Sequence, residues 1–204
     1  MTHTLPEPQF GPETNLQTVL AERKSRRVYR SEPVTVEDVA TALWAGQGIT
    51  HETDDVEMRT APSAGATYPL ETYLEVAPEG CEALSAGLYH YVPETHTLET
   101  VHTESVHESL TEAALSQRVV GNAPATVVLT AEYDRTVSQY PDHGRRYVHM
   151  EAGHVSQNVQ LACESRGLSN CPVGAFHDDA LADVLDLDAN LDPLYLLPFG
   201  PQPE

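Results

Sequence analysis

Seven consecutive residues, Ala125 to Ala131 (ATVVLTA), contain no charged side chain and show no alternation of apolar with polar positions. A strand with one wet face alternates, so a continuous run of this kind belongs to a strand covered on both faces. The second constraint is helical. From Arg145 to Arg166 the apolar residues Val148, Ala152, Val155, Val159 and Ala162 repeat at helical spacing. That helix spans about 33 Å at 1.5 Å per residue, and Gly167 is a natural residue to end it. The chain must therefore build a sheet thick enough to bury one strand completely and lay a long helix against it.

The remaining pattern supplies the other pieces. Leu70 to Val76 alternates, with Leu70, Thr72, Leu74 and Val76 on one face and Glu71, Tyr73 and Glu75 on the other, which predicts a half-buried strand. Gly87 to Val92 is a second β-rich run, and Leu194 to Phe199 a last one, whose Pro198 predicts a place near a sheet edge. Helices are expected from Glu13 to about Lys24, from Val106 to Gln117, and from Asp178, as cap, to Leu187. Thr35 is placed to cap a helix with Glu37 and Asp38 in its first turn, ending at Gly46 and Gly48. Residues 1–12 read as a flexible arm, 13–204 as a single domain, and His51 to Glu57 as an exposed loop. Helices and strands without regular βαβ alternation point to an α+β fold.

Charge excludes several functions. Thirty-one acidic residues against eleven basic ones leave a net charge of −20, and Lys24 is the single lysine. Nucleic-acid binding needs cations facing phosphates, so it is disfavoured. Acid spread over nearly the whole length fits a halophilic protein, whose self-repulsion is screened at high salt, with an ordinary acidic mesophilic protein as the alternative. No stretch approaches the ~20 apolar residues of a membrane span, and the N-terminus lacks the basic and apolar regions of a signal peptide. Three cysteines at no zinc-like spacing fit a reducing compartment, so a cytoplasmic location is expected.

Against that acidic background, five of the eleven cations fall between Arg23 and Arg30 (RKSRRVYR). Crowding like charges is unfavourable without an anion to meet them, and arginine binds phosphate bidentately. The same cations could instead pair with neighbouring carboxylates. Two further segments, Pro62 to Pro69 and Cys171 to Phe176, hold small residues that let the backbone approach a flat ligand. The ten histidines show no ligand spacing. His149 and His154 are five apart on a helix and face different sides, so no metal site is expected.

Taken in order, these segments resemble the SagB-type dehydrogenase branch of the nitroreductase superfamily. The residues that carry the resemblance are Arg23–Tyr29, Leu43–Ile49 (LWAGQGI), Arg59–Pro69, Gly87–Tyr91, Glu151–His154 with Gln157-Asn158, and Pro172–Phe176. The resemblance covers residues 16–200. It implies a nitroreductase-like FMN-binding fold, a mixed sheet flanked by helices, and a two-fold dimer with shared flavin sites. By the same resemblance Arg23, Lys24, Ser25 and Arg27 would hold the phosphate and ribityl end. Pro62, Ser63, Ala64 and Gly65 would come from the second subunit and line the isoalloxazine. Gln117 would contact the pyrimidine edge, and Pro172, Val173, Gly174 and Ala175 would present backbone N–H groups to the ring. Tyr140 is the implied catalytic residue. Two positions depart from the pattern. The chain stops at Pro201-Gln202-Pro203-Glu204 without a basic residue, and Gln139-Tyr140 stands where azoline-oxidising members carry Lys-Tyr. The implied activity is dehydrogenation of a peptide-derived or small organic substrate. NAD(P)H-dependent reduction of nitro compounds or quinones is one rival, and a non-catalytic flavin-binding subunit of a larger assembly is another.

Overall fold

The computed structural model describes residues 1–11, 15–52 and 57–203. In chain order the strands are β1 (Thr2–Thr4), β2 (Ile49–Glu52), β3 (Glu57–Arg59), β4 (Leu70–Val76), β5 (Gly87–Val92), β6 (Thr97–His102), β7 (Ala125–Ala131), β8 (Leu168–Asn170) and β9 (Asp192–Pro201). The helices are α1 (Leu16–Glu22), α2 (Val36–Gln47), α3 (His107–Ala113), α4 (Arg118–Gly121), α5 (Tyr133–Val137), α6 (Gly144–Ser165) and α7 (Asp178–Leu185).

Seven strands form one sheet in the order β1-β6-β5-β4-β7-β9-β8, with β2 and β3 as a separate hairpin. The α+β reading holds, but the sheet is not mixed. Every described strand pair is antiparallel, because β4, β5 and β6 follow one another without an intervening helix and no crossover returns a strand parallel to its neighbour. β7 lies inside the sheet between β4 and β9, and every residue of it is buried, as its composition requires. Val127 and Leu129 enter one core with Val39, Leu43, Val148, Val155 and Val159 of α2 and α6. Val128 enters a second core with Leu110, Val120, Leu181 and Leu185 on the opposite face.

That second core corrects the reading of β4. Leu70, Leu74 and Val76 face the first core as expected, yet the other face is covered as well, and Glu75 is fully buried. His107 Nδ1 lies 2.9 Å from its carboxylate and the ring's Nε2 lies 3.1 Å from the Gly121 carbonyl. Burial raises the Glu75 pKa against the pull of His107, and the hydrogen bond to Glu75 raises that of His107.

Thr35 caps α2 through a complete capping box. Its Oγ1 accepts from the Asp38 N–H at 3.1 Å, and the Asp38 carboxylate accepts from the Thr35 N–H at 3.0 Å. α2 continues through Gly46 and ends at Gln47, because Gly46 is a contact residue and not a stop. A Cβ there would lie 3.2 Å from both Val155 and Val159 of α6. Further expectations change. The segment expected as a flexible arm begins with β1, which pairs with β6, and Leu5 is buried. α1 starts at Leu16 under an Asn15 cap, and residues 13 and 14 lie outside the described residues. The stretch read as one helix from Val106 to Gln117 breaks after Ala113, since Leu115 and Ser116 take left-handed backbone angles. His177, not Asp178, is the N-cap of α7. β9 lies next to the edge strand β8, which pairs only with Phe199–Pro201, so the expected place of Pro198 near an edge holds. The expected loop at His51–Glu57 is flanked by the β2–β3 hairpin, and residues 53–56 lie outside the described residues.

Candidate functional site

The cationic segment leaves α1 as a strap and is pinned along its length. Arg26 N–H donates to the Asn170 carbonyl at 3.0 Å and Arg30 N–H to that of Pro201 at 2.9 Å. The Ser169 hydroxyl reaches the Val28 carbonyl at 2.8 Å, and the Tyr29 hydroxyl reaches that of Val119 at 2.9 Å. These bonds fix which side chains face inward. Arg26 turns in and pairs with Glu164 of α6, while Arg30 pairs with Glu32. Arg23, Lys24 and Arg27 have no carboxylate partner among the described residues, although Arg23 Nη1 donates to Gln160 Oε1 at 3.1 Å. Lys24, Ser25 and Arg27 are exposed. The two ways of satisfying the strap are thus divided between its residues. The cations assigned to an anion are the unpaired ones, and the other two are structural.

Beside Asn170 the chain enters the Cys171–Phe176 segment. Val173 makes a two-way bridge with Leu196 of β9, its N–H donating at 2.8 Å and its carbonyl accepting at 2.9 Å. This corrects one expectation, because the Val173 N–H is taken by the sheet and is not free for a ligand. Gly174 and Ala175 are exposed. Neither N–H makes a hydrogen bond among the described residues. Gln117 belongs to this group, since its Nε2 donates to the carbonyls of Ala175 at 2.7 Å and Ala114 at 2.9 Å.

The 62–65 segment forms a second group on the N-terminal half of α6. It is a tight 3₁₀ turn in which Gly65, Ala66 and Tyr68 have φ of 62°, 52° and 41°. Left-handed angles at Ala66 and Tyr68 are strained for side-chain-bearing residues, and several bonds hold them. Tyr68 N–H donates to Ser63 Oγ at 3.0 Å, Arg59 N–H to the Tyr68 hydroxyl at 3.1 Å, and Arg135 Nη1 to the Tyr68 carbonyl at 3.1 Å. The Arg59 guanidinium lies 4.6 Å from the centre of the Tyr68 ring. A Cβ at Gly65 would lie 2.6 Å from Gln139 Oε1 and 2.9 Å from the Tyr140 hydroxyl, so those side-chain ends would have to move. Tyr140 is therefore beside the 62–65 segment and stacks edge-on with Tyr147, which in turn meets His143. His149 is bound to the Tyr133 hydroxyl at 2.6 Å.

Sequence reasoning did not give Glu151 or Arg59 a role in the site. Glu151 is buried beneath Ser63, and burial pushes its carboxyl up to about 7 against the opposing influences of the Ser63 hydroxyl and Arg59. The signal was present. Glu151 lies three residues after Val148 and four before Val155, on the apolar stripe of α6, where a carboxylate is out of place.

The predicted residues thus fall into two groups. Arg23–Arg27, Gly174, Ala175 and Gln117 form one, and Pro62–Gly65 with Tyr140 forms the other. No hydrogen bond or ion pair among the described residues links them. Both attach to α6, at Gln160 and Glu164 for the first and at Glu151 for the second, about 14 Å apart along the axis.

An antiparallel sheet backed by one long helix, with a strap of cations that lack carboxylate partners among the described residues, defines an α+β protein. The nitroreductase family profile matches residues 20–201, and the chain belongs to that family. A Methanocaldococcus jannaschii protein with a provisional nitroreductase name is 42% identical over 188 residues, covering 92% of this chain and 91% of that protein. The microcin B17-processing protein McbC of Escherichia coli is 32% identical over 148 residues, 70% of this chain and 54% of that longer protein. Among solved structures, a nitroreductase-like protein of Ralstonia eutropha superposes with a TM-score of 0.83 at 26% identity, over all of this chain and 90% of the other. Among the described residues no helix is long and apolar enough to cross a membrane.

Proposed function

We propose that the protein is an FMN-dependent oxidoreductase that works as a two-fold dimer and dehydrogenates a peptide-derived or small organic substrate. The observation that carries the reading is the strap. In a chain of net charge −20, Arg23, Lys24 and Arg27 stand without carboxylate partners among the described residues, on a strap bonded to Asn170, four residues before the first of two open backbone N–H groups. That donor set fits a phosphate and the polar edge of a flavin. Bound flavin would supply the two-electron chemistry.

The chain's own residues do the rest. Arg23, Lys24 and Arg27, with the Ser25 hydroxyl, neutralise and orient the phosphate. Gly174 and Ala175 N–H groups donate to the ring, and Gln117 holds the Ala175 peptide in place. The 62–65 segment, supplied by a second copy, covers the ring, and Tyr140 borders the substrate. The separation of the two groups within one chain supports shared sites. So does the exposure of Phe10, Leu16, Leu20 and Met150, which an isolated monomer would leave in water.

The likeness to McbC favours a peptide-derived substrate. The likeness to the M. jannaschii protein, together with Gln139 in place of lysine, favours the second reading, an NAD(P)H-dependent nitro or quinone reductase. The absorbance spectrum of the purified protein tests the common ground. A flavin spectrum is expected, and a colourless protein that takes up no added FMN would end both readings. Anaerobic addition of NAD(P)H then separates them, since rapid bleaching of the flavin selects the reductase.

A further inference from the structure

Glu151 is 3% exposed, and its Oε1 has no hydrogen-bond partner among the described residues. A buried carboxylate with an unsatisfied oxygen is costly, and this one lies directly under the segment proposed to line the flavin. Its neighbour is Ser63. The Ser63 Oγ already accepts the Tyr68 N–H at 3.0 Å, so this hydroxyl has one lone pair and one proton left to assign.

The protonation state of Glu151 assigns them. An ionised carboxylate only accepts, so it draws the Ser63 proton inward and leaves that hydroxyl no donor for a ligand. A protonated Glu151 donates to the free lone pair of Ser63 instead, and the Ser63 proton is released to the outer face of the turn. We propose that Glu151 is a positioning residue for this segment, setting whether the Ser63 hydroxyl donates inward or toward the bound ring. The inference rests on the flavin site proposed above and adds a proton-controlled donor to it.

The surroundings are simple enough for one group to control the outcome. Arg59 of β3 is the charged side chain acting on Glu151 from the packed elements. Its guanidinium is shared with Gln47 of α2 at 3.3 Å and Glu94 at 3.0 Å. Ser63 and Gln47 are neutral. Tyr147 and His154 are the titratable side chains one turn away on α6 itself. With burial raising the Glu151 carboxyl to about 7, both states are populated near neutral pH.

The experiment compares the FMN dissociation constant of the native protein, Glu151→Gln and Ser63→Ala at pH 6.0 and pH 8.5. The phosphate titrates in all three alike, so ratios between proteins isolate the residue. Glutamine can donate to Ser63 at every pH and mimics the protonated acid. The native protein and Glu151→Gln should bind alike at pH 6.0, with the native protein about 3- to 10-fold weaker at pH 8.5, the effect of one neutral hydrogen bond. Ser63→Ala should show the mirror image, about 3- to 10-fold weaker than native at pH 6.0 and equal at pH 8.5. A second readout needs no flavin. In carboxyl-labelled protein, nuclear magnetic resonance should find one glutamate titrating near neutrality, absent in Glu151→Gln and moved higher in Ser63→Ala. Ratios that do not change with pH, or no such titration, overturn the inference while leaving FMN binding intact. Failure of the native protein to bind FMN at either pH overturns the site itself.

Discussion

The side-chain amide of Gln117 donates to the Ala175 carbonyl at 2.7 Å, across 58 residues of sequence. That bond joins the turn before α4 to the segment whose N–H groups face outward, and a second bond to Ala114 fixes the amide itself. Within the chain, Gln117 holds the backbone at Ala175, and in the function proposed above it would act on the ligand through that backbone.

Replacing Gln117 with alanine should therefore lower stability by about 1 kcal/mol, the net value of a neutral hydrogen bond, and weaken FMN binding several-fold. Gln117→Glu should do more harm, since a carboxylate would face two carbonyls. Thermal unfolding and FMN titration of the three proteins check this. Unchanged FMN affinity in both variants would detach Gln117 from the site.

The strap predicts a split among its cations. Arg23→Ala and Arg27→Ala should each weaken FMN binding by about 1.5–3 kcal/mol, the range for charge-assisted hydrogen bonds. Arg30→Ala should leave affinity near native, because Arg30 pairs with Glu32 on the surface. Arg26→Ala should act on stability, because it strands Glu164 at the interior face of α6. Equal FMN affinities for the Arg23, Arg27 and Arg30 variants would contradict the assignment.

Glu151 also predicts how stability depends on pH. Its carboxyl rises from the ordinary 4.5 to about 7 on folding, so the folded state binds the proton more tightly than the unfolded state. The resulting stabilisation is fully present below about pH 4.5 and is lost as pH rises through about 7. Relative to Glu151→Gln, the flavin-free native protein should lose roughly 3 kcal/mol between pH 4.5 and pH 8. Denaturant unfolding across that range measures the difference. Parallel profiles for the two proteins would show that Glu151 is not the buried acid inferred here.

Legibility followed the strength of local signals. The β7 run and the α6 stripe were readable because each buries a long periodic face, and Thr35 because a capping box is short and specific. β6 was not, since Glu99 and Val101 both point to solvent and its polarity resembles a loop. β8 has three residues and exists only by pairing with β9. The break after Ala113 needs left-handed angles at Leu115 and Ser116, residues that do not advertise them. In the site, the strap was visible as charge, but which cations stay unpaired depends on where Glu164 and Glu32 fall in space. The loss of the Val173 N–H to Leu196 is likewise a tertiary fact.

Net charge makes a prediction about solvent. A charge of −20 repels itself over a Debye length of about 30 Å at 0.01 M salt but about 3 Å at 1 M. The melting temperature should rise clearly between those conditions. A melting temperature that does not move would remove the halophilic reading.

The last prediction concerns the proton of the reaction. A Cβ at Gly65 would touch both Gln139 Oε1 and the Tyr140 hydroxyl, so these two side chains converge on the segment proposed to line the flavin. Dehydrogenating an azoline removes a proton from the carbon next to the one that gives up the electron pair, and a positioned base must take it. A glutamine amide is not basic near neutrality. A phenol carries a proton of its own and must lose it before it can take one from carbon. Of the nearby histidines, His149 is bound to the Tyr133 hydroxyl and the His143 ring packs on Tyr147. Loss of a general base typically costs about 10²–10⁴-fold. The native protein should therefore turn over thiazoline and oxazoline peptides poorly. Gln139→Lys should restore part of that factor, because it puts an amine where the amide now meets Gly65. Turnover of both proteins, measured with bound FMN and an excess of electron acceptor, decides it. Brisk native turnover that Gln139→Lys leaves unchanged would mean the proton leaves by another group.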